Sequence, residues 1–207
     1  MSATSHTSMS PAMQALADTG TKRHYARRTR FIAEGDEGSA IYVILSGRVK
    51  VFTSDLDGKE FLFGSYGAGA ILGEMALDGQ PRSASVEALE DVVCAVVPVS
   101  ALRERIGSDP DFTLELIRTL IQRSRNTTTF SRRLALDSAY QRLAALLTEL
   151  AGPGGVVPEP LTQQAIGERI GASRDMVSKL FKDLVKGEYL RQENRRITLL
   201  KPLPAKW

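Results

Sequence analysis

The run DPDFTLELIRTLIQRSRNTTTFSRRLAL, residues 109–136, reads at the helical period as one long helix. Asp109 is placed to cap it, Pro110 suits its first turn, and neither Gly nor Pro interrupts the remaining turns. One face carries Thr113, Ile117, Leu120, Ser124, Thr127, Ser131 and Leu134, spaced alternately four and three residues apart, the seam of two helices lying side by side. The spacing predicts a homodimer joined through residues 111–136. A second face, Phe112, Leu116 and Ile121, is expected to pack on whatever precedes the helix.

The middle of the seam is polar. Leu, Ile or Val at Ser124, Thr127 and Ser131 would serve stability alone, because a buried hydroxyl without a partner costs about 1–3 kcal/mol. The hydroxyls point to a polar neighbour beside the seam or to a weak, partly wet coiled coil, and spacing leaves both open.

With 207 residues, 43% of them apolar, the chain can bury a proper core and fits two small domains. Its charge is uneven: residues 1–137 hold 16 Lys and Arg against 17 Asp and Glu, whereas residues 138–207 hold 11 against 7. A basic C-terminal part suits a nucleic-acid partner, although an ordinary solvated surface gives the same bias. The single cysteine, Cys94, lies in the apolar run Val92–Val97, so no disulfide can form within the chain. A reduced cytoplasmic setting is expected, with Cys94 as core packing. The first ten residues lack the apolar core of a signal peptide, and no run approaches the ~18 apolar residues of a membrane span. A metal-dependent oxygenase on a β-barrel fails on ligand supply, since the only histidines are His6 and His24. An iron–sulfur sensor would need several cysteines, and a haem sensor a placed axial ligand. The expectation is a soluble protein that is not an enzyme.

Ahead of the long helix, Pro11–Ala17 reads as a short helix with Met13, Leu16 and Ala17 on one side. From Arg27 to Pro98 the pattern changes to short β-branched runs: Thr29–Ile32, Ala40–Leu45, Arg48–Thr53, Glu60–Tyr66, Ser83–Ala88 and Val92–Val97. Turn signals separate them at Glu34-Gly35-Asp36, Ser46-Gly47, Asp57-Gly58 and Gly67-Ala68-Gly69. Strands this short argue for a small antiparallel barrel or roll. One segment breaks the rhythm: Ile71-Leu72-Gly73-Glu74-Met75-Ala76-Leu77, with Arg82 and Ser83 shortly after it. A helical turn starting after Gly73 would present backbone N–H groups to an anion. Arg82 offers a guanidinium fork for a phosphate, Ser83 a hydroxyl, and Glu74 an acceptor for sugar hydroxyls.

After the long helix, Asp137 is placed to cap a helix through Ala139, Leu143, Leu146, Leu147 and Leu150, and marks the expected hinge. Thr162 opens a short helix with Ala165, Ile166 and Ile170 inward, Gly171 makes a tight turn, and Ser173 caps a second helix ending near Lys186-Gly187. Val177, Leu180, Phe181 and Leu184 form its buried side, which completes a helix-turn-helix pattern. The opposite face offers Arg174, Asp175, Ser178, Lys179 and Lys182 to base edges and phosphates.

These motifs resemble one family. Glu34-Gly35-Asp36, Tyr42-Val43-Ile44, Gly47-Arg48-Val49, Gly73-Glu74-Met75-Ala76-Leu77 and Arg82-Ser83-Ala84 are similar to the cyclic-nucleotide-binding β-roll of the catabolite-activator and FNR-like (CRP/FNR) transcription factors of bacteria, and the resemblance runs on to the C-terminus. It implies an α+β chain: a β-roll domain over residues 1–108, a dimerisation helix over 109–136, and a winged helix-turn-helix domain over 137–207. It implies that Arg82 and Ser83 bind the cyclic phosphate of cAMP and that Gly73 and Glu74 hold the ribose 2′-hydroxyl. Thr127 and Thr128 would contact the purine, one from each subunit, which supplies the polar neighbour that the seam asks for. The alternative is a regulator of the same fold that responds to cyclic di-GMP or another effector, or to none. The resemblance further implies a double-stranded DNA palindrome and RNA polymerase as partners, and a wing around Asn194-Arg195-Arg196 that meets phosphates. The family's reading triplet of Arg, Glu and Arg stands here as Arg174, Asp175 and Lys179, so a related but different half-site is expected.

Overall fold

The computed structural model describes residues 9–58, 60–193 and 196–206. The chain divides into two compact units between Arg125 and Asn126.

The N-terminal unit is an antiparallel roll of two four-stranded sheets. One has the order β1-β8-β3-β6, from Thr21–Tyr25, Val92–Pro98, Ala40–Ser46 and Ile71–Leu72. The other has the order β2-β7-β4-β5, from Arg30–Ile32, Ser85–Ala88, Val49–Ser54 and Glu60–Tyr66. Side chains alternate across a strand, so β8 serves two cores. Val92 and Cys94 point between the sheets with Ile32, Ile44, Val49, Leu72, Val86 and Ala88. Ala95 and Val97 point outward with Ile41 and Val43, under α1 (Pro11–Ala17), α2 (Val99–Ser108) and the first turns of α3 (Pro110–Leu136). Burial on both faces is why Val92–Val97 reads as a continuous apolar run rather than an alternating one. Burial also pushes the Cys94 thiol up to about 11, which keeps it neutral and consistent with core packing.

The helix starts obey their caps. Ser10 Oγ accepts the Met13 N–H at the head of α1, and Asp109 Oδ1 accepts the Phe112 N–H at 3.0 Å at the head of α3. Phe112 and Leu116 are buried as expected, but Ile121 is 49% exposed. Its phase explains the difference: at about 100° per residue, Ile121 lies half a turn away from Phe112. Arg123, seven residues after Leu116, continues the inward face instead.

Two strands and one helix escape the sequence reading. β1 is exposed along nearly its whole length and so shows no alternation, and β6 has only two residues. α2 contributes only Val99 and Leu102 to the core and carries two arginines, Arg103 and Arg105. Ser83 lies in a bend before β7, with Arg82 just ahead of it, and the strand begins at Ser85 rather than Ser83.

The C-terminal unit packs α4 (Ala139–Leu150), α5 (Gln163–Ile170) and α6 (Arg174–Lys186) around Leu143, Leu147, Ile166, Val177, Phe181 and Leu184. A hairpin of β9 (Leu190–Glu193) and β10 (Arg196–Leu199) closes this core with Leu190 and Ile197. Ser138, not Asp137, caps α4: its Oγ accepts the Gln141 N–H while the Gln141 side chain accepts the Ser138 N–H, a reciprocal capping box that Asp137 lies one residue too early to form. The Asp137 carbonyl is taken instead by Arg142 Nη1 at 2.6 Å, and Arg142 Nε reaches the Ile170 carbonyl at 2.7 Å. Thr162 and Ser173 cap α5 and α6 as expected, and Gly171 turns the chain at φ 65°. Gly167 is equally required, because a Cβ there would stand 2.6 Å from the Ala172 carbonyl oxygen. Among the described residues no helix is long and apolar enough to cross a membrane.

Candidate functional site

The roll converges on one guanidinium. Arg82 is held by its backbone first: its N–H donates to the Asp36 carbonyl at 2.8 Å, and its carbonyl accepts the Gly35 N–H at 2.9 Å. The Glu34-Gly35-Asp36 turn, with Gly35 at φ 85°, is thus stitched to the residue that precedes Ser83. The Arg82 side chain is 9% exposed and donates Nη1 to the Gly73 carbonyl at 2.9 Å and Nη2 to the Ala40 carbonyl. Both acceptors are neutral. No ion pair from a carboxylate to Arg82 is present among the described residues, so its positive charge is met only by neutral carbonyls. A buried cation in that condition is costly, and an anionic ligand relieves it.

Two glycines make room for this guanidinium. A Cβ on Gly38 would lie 2.3 Å from Arg82 Cζ, and one on Gly73 would lie 2.5 Å from Nη1. Gly73 is also at φ 76°, in the left-handed region, and heads the 3-10 turn Glu74–Asp78. That turn places Glu74, 8% exposed, at its first position. Glu74 Oε1 accepts from Arg123 Nη1 at 2.8 Å, Arg123 Nη2 donates to the Ile71 carbonyl at 2.6 Å, and the guanidinium lies 5.0 Å from the centre of the Tyr66 ring. Arg123 therefore ties α3 to the edge of the roll through the Glu74 carboxylate. Ser83 is exposed and donates its hydroxyl to Met75 Sδ at 3.1 Å.

The structure brings together Gly73, Glu74, Arg82 and Ser83. Thr127 and Thr128 stand exposed on α3 within the other unit. Arg123 and Gly38 are the participants that sequence reasoning missed. Arg123 had a readable signal, since it is a charge at a helix position where periodicity asks for a buried side chain. Gly38 had none.

The second site is the outer face of α6. Ser173 caps the helix, its Oγ accepting the Met176 N–H at 3.1 Å. Arg174, Asp175, Lys179 and Lys182 are exposed and Ser178 is half-buried, while Val177, Phe181 and Leu184 turn inward. Acidic Asp175 in the first turn and basic Lys186 in the last suit the helix dipole. A cleft of about 440 Å³ beside Arg174 is lined by Leu161, Thr162, Gln163, Gln164 and Gln192, adding amides that the sequence reading did not name. Arg196 is exposed at the start of β10, and Arg195 lies outside the described residues.

Comparisons with known proteins agree with this division. Residues 22–109 match the cyclic nucleotide-binding domain and residues 141–203 the Crp-like helix-turn-helix domain. A CRP-like cAMP-activated global transcriptional regulator of Mycobacterium tuberculosis is 30% identical over 183 residues, covering 84% of this chain and 82% of that protein. The cAMP-activated global transcriptional regulator of Pasteurella multocida is 30% identical over 168 residues, covering 77% and 80%. Among solved structures, the cyclic di-GMP-responsive global regulator of Xanthomonas campestris shares the fold at a TM-score of 0.81, with 22% identity and coverage of 92% of this chain and 98% of that one. A CRP/FNR-family regulator of Thermus thermophilus aligns at a TM-score of 0.70 with 25% identity, covering 87% and 94%. With a buried arginine cradled by the roll, a capped helix-turn-helix and relatives at this identity over most of its length, the chain belongs to the CRP/FNR family of DNA-binding transcription regulators, which are not enzymes, and carries a cyclic-nucleotide-binding domain.

Proposed function

We propose that the protein is a homodimer whose affinity for a palindromic DNA site is set by cAMP bound in the roll. The observation that carries this reading is the buried, carboxylate-free Arg82 between Gly38 and Gly73, a place built for one anionic group. Arg82 and Ser83 take the cyclic phosphate; Gly73 and Glu74 take the ribose 2′-hydroxyl, and Thr127 and Thr128 take the purine. Residues 1–108 form the nucleotide domain, 109–136 the dimer helix and 137–207 the DNA-binding domain. The exposed apolar side chains of α3, among them Ile117, Leu120 and Leu134, support a partner helix along the seam. Effector binding favours the DNA-competent arrangement by its differential affinity for it.

On the DNA, Ser173, Arg174, Asp175, Ser178, Lys179 and Lys182 face the major groove, and Arg195 and Arg196 of the wing meet phosphates. The bound dimer then engages RNA polymerase. Arg174→Ala is expected to cost about 1–3 kcal/mol of DNA affinity and to relax one base position. A selection of binding sites from random sequence checks this, since a uniform loss on every site would make Arg174 a phosphate contact only.

Calorimetric titration with cAMP, cGMP and cyclic di-GMP, with Arg82→Ala in parallel, tests the effector. Binding of cAMP that disappears in Arg82→Ala supports the pocket. The likeness to the Xanthomonas regulator supports a second reading, in which cyclic di-GMP alone binds and the affinity survives Arg82→Ala.

A further inference from the structure

The 3-10 turn buries Glu74 and Ala76 and turns Met75 outward, leaving it 55% exposed. An exposed thioether is open to dissolved oxidants, whereas Met13, 4% exposed in the core, is shielded. Met75 also has a partner of consequence: its Sδ accepts the Ser83 hydroxyl at 3.1 Å, beside buried Arg82. A thioether is a weak acceptor, so Ser83 leaves it readily for a phosphate oxygen.

We propose that Met75 is an oxidation site through which a hydroperoxide switches the nucleotide pocket off, by converting the thioether to a sulfoxide that retains the Ser83 hydroxyl. Such a switch rests on the roll binding a cyclic nucleotide. In the reaction a sulfur lone pair attacks one peroxide oxygen, an S–O bond forms and the O–O bond breaks. With hydrogen peroxide the departing hydroxide takes the proton from the transferred oxygen and leaves as water, and with an organic hydroperoxide the alkoxide does so and leaves as the alcohol. Sulfur has lost two electrons and the peroxide has gained them. The sulfoxide oxygen is a strong acceptor within reach of Ser83, which has a single hydroxyl proton to give. That proton is then lost to the ligand, and the negative end of the S=O dipole stands beside the hydroxyl that a phosphate would use.

The test uses the full chain. Hydrogen peroxide is added, peptide mass mapping locates the added oxygen, and calorimetry measures cAMP affinity before and after. Met75 is expected to take up oxygen ahead of Met13, and the affinity to fall about tenfold. Met75→Leu is expected to keep its affinity through the treatment, while Met176→Leu, which removes the other exposed methionine in a described helix, loses it as the unaltered chain does. Undiminished affinity in protein that carries oxygen at Met75 overturns the inference, as does equal loss in Met75→Leu. Untreated protein that binds no cyclic nucleotide removes the nucleotide reading, and the inference with it.

Discussion

Gly38→Ala is expected to leave the β-roll folded and yet weaken cyclic-nucleotide binding about a hundredfold. Gly38 is not among the glycines at positive φ, so its backbone conformation suits any residue. A side chain is excluded by the Arg82 guanidinium, whose Cζ, Nε and Nη2 would lie 2.3, 2.4 and 2.6 Å from the new Cβ. The far end of a flexible side chain moves more easily than a strand, so the fold survives while Arg82 is pushed away from the Gly73 and Ala40 carbonyls. On the proposed reading, two charge-assisted hydrogen bonds to a phosphate, worth roughly 3 kcal/mol together, are then lost. Calorimetry with cAMP gives the affinity and thermal melting the stability. Unchanged affinity in Gly38→Ala would mean that the observed place of the guanidinium is not the one that binds.

Arg123→Met is expected to lower stability by about 3 kcal/mol, at the lower edge of the range for breaking a buried ion pair, since the side chain retains some exposure. Glu74 is the reason: with its side chain 9% exposed and Arg123 gone, the carboxylate keeps a buried negative charge without the 2.8 Å contact that offsets it. The Ile71 carbonyl loses a donor in the same step. Adding Glu74→Gln to Arg123→Met should recover most of the loss, because an amide carries no charge to strand. Urea denaturation of the two variants decides the matter; a single variant as stable as the parent would show that the pair contributes nothing to the fold.

Much of the architecture was legible because it obeys local rules. Asp109, Thr162 and Ser173 each announce a helix start, and each accepts the backbone N–H that such a residue is suited to accept. Most strands of the roll carried turn residues at their ends. Failures fall where the governing contact is remote or the signal is absent. β1 has no apolar alternation because its residues face water, and Asp137 and Ser138 are both good caps, so that only the Gln141 side chain chooses between them. In the site, Gly73, Glu74, Arg82 and Ser83 were visible as a spaced cluster, but the partner of Glu74 lies 49 residues further along the chain. The guanidinium that forbids a side chain at Gly38 comes from 44 residues away, and no pattern of hydropathy records steric need of that kind.

The bonds made by Arg142 bear on how motion passes through the C-terminal unit. One guanidinium grips the Asp137 carbonyl, just past the end of α3, and the Ile170 carbonyl, at the turn that orients α6. A joint clamped in this way behaves as a bracket rather than a loose swivel. Turning the Asp137 carbonyl away from the Ile170 carbonyl would cost Arg142 one of its two hydrogen bonds, about 1.5–3 kcal/mol for a charged donor, so the end of α3 and the turn before α6 resist being moved apart.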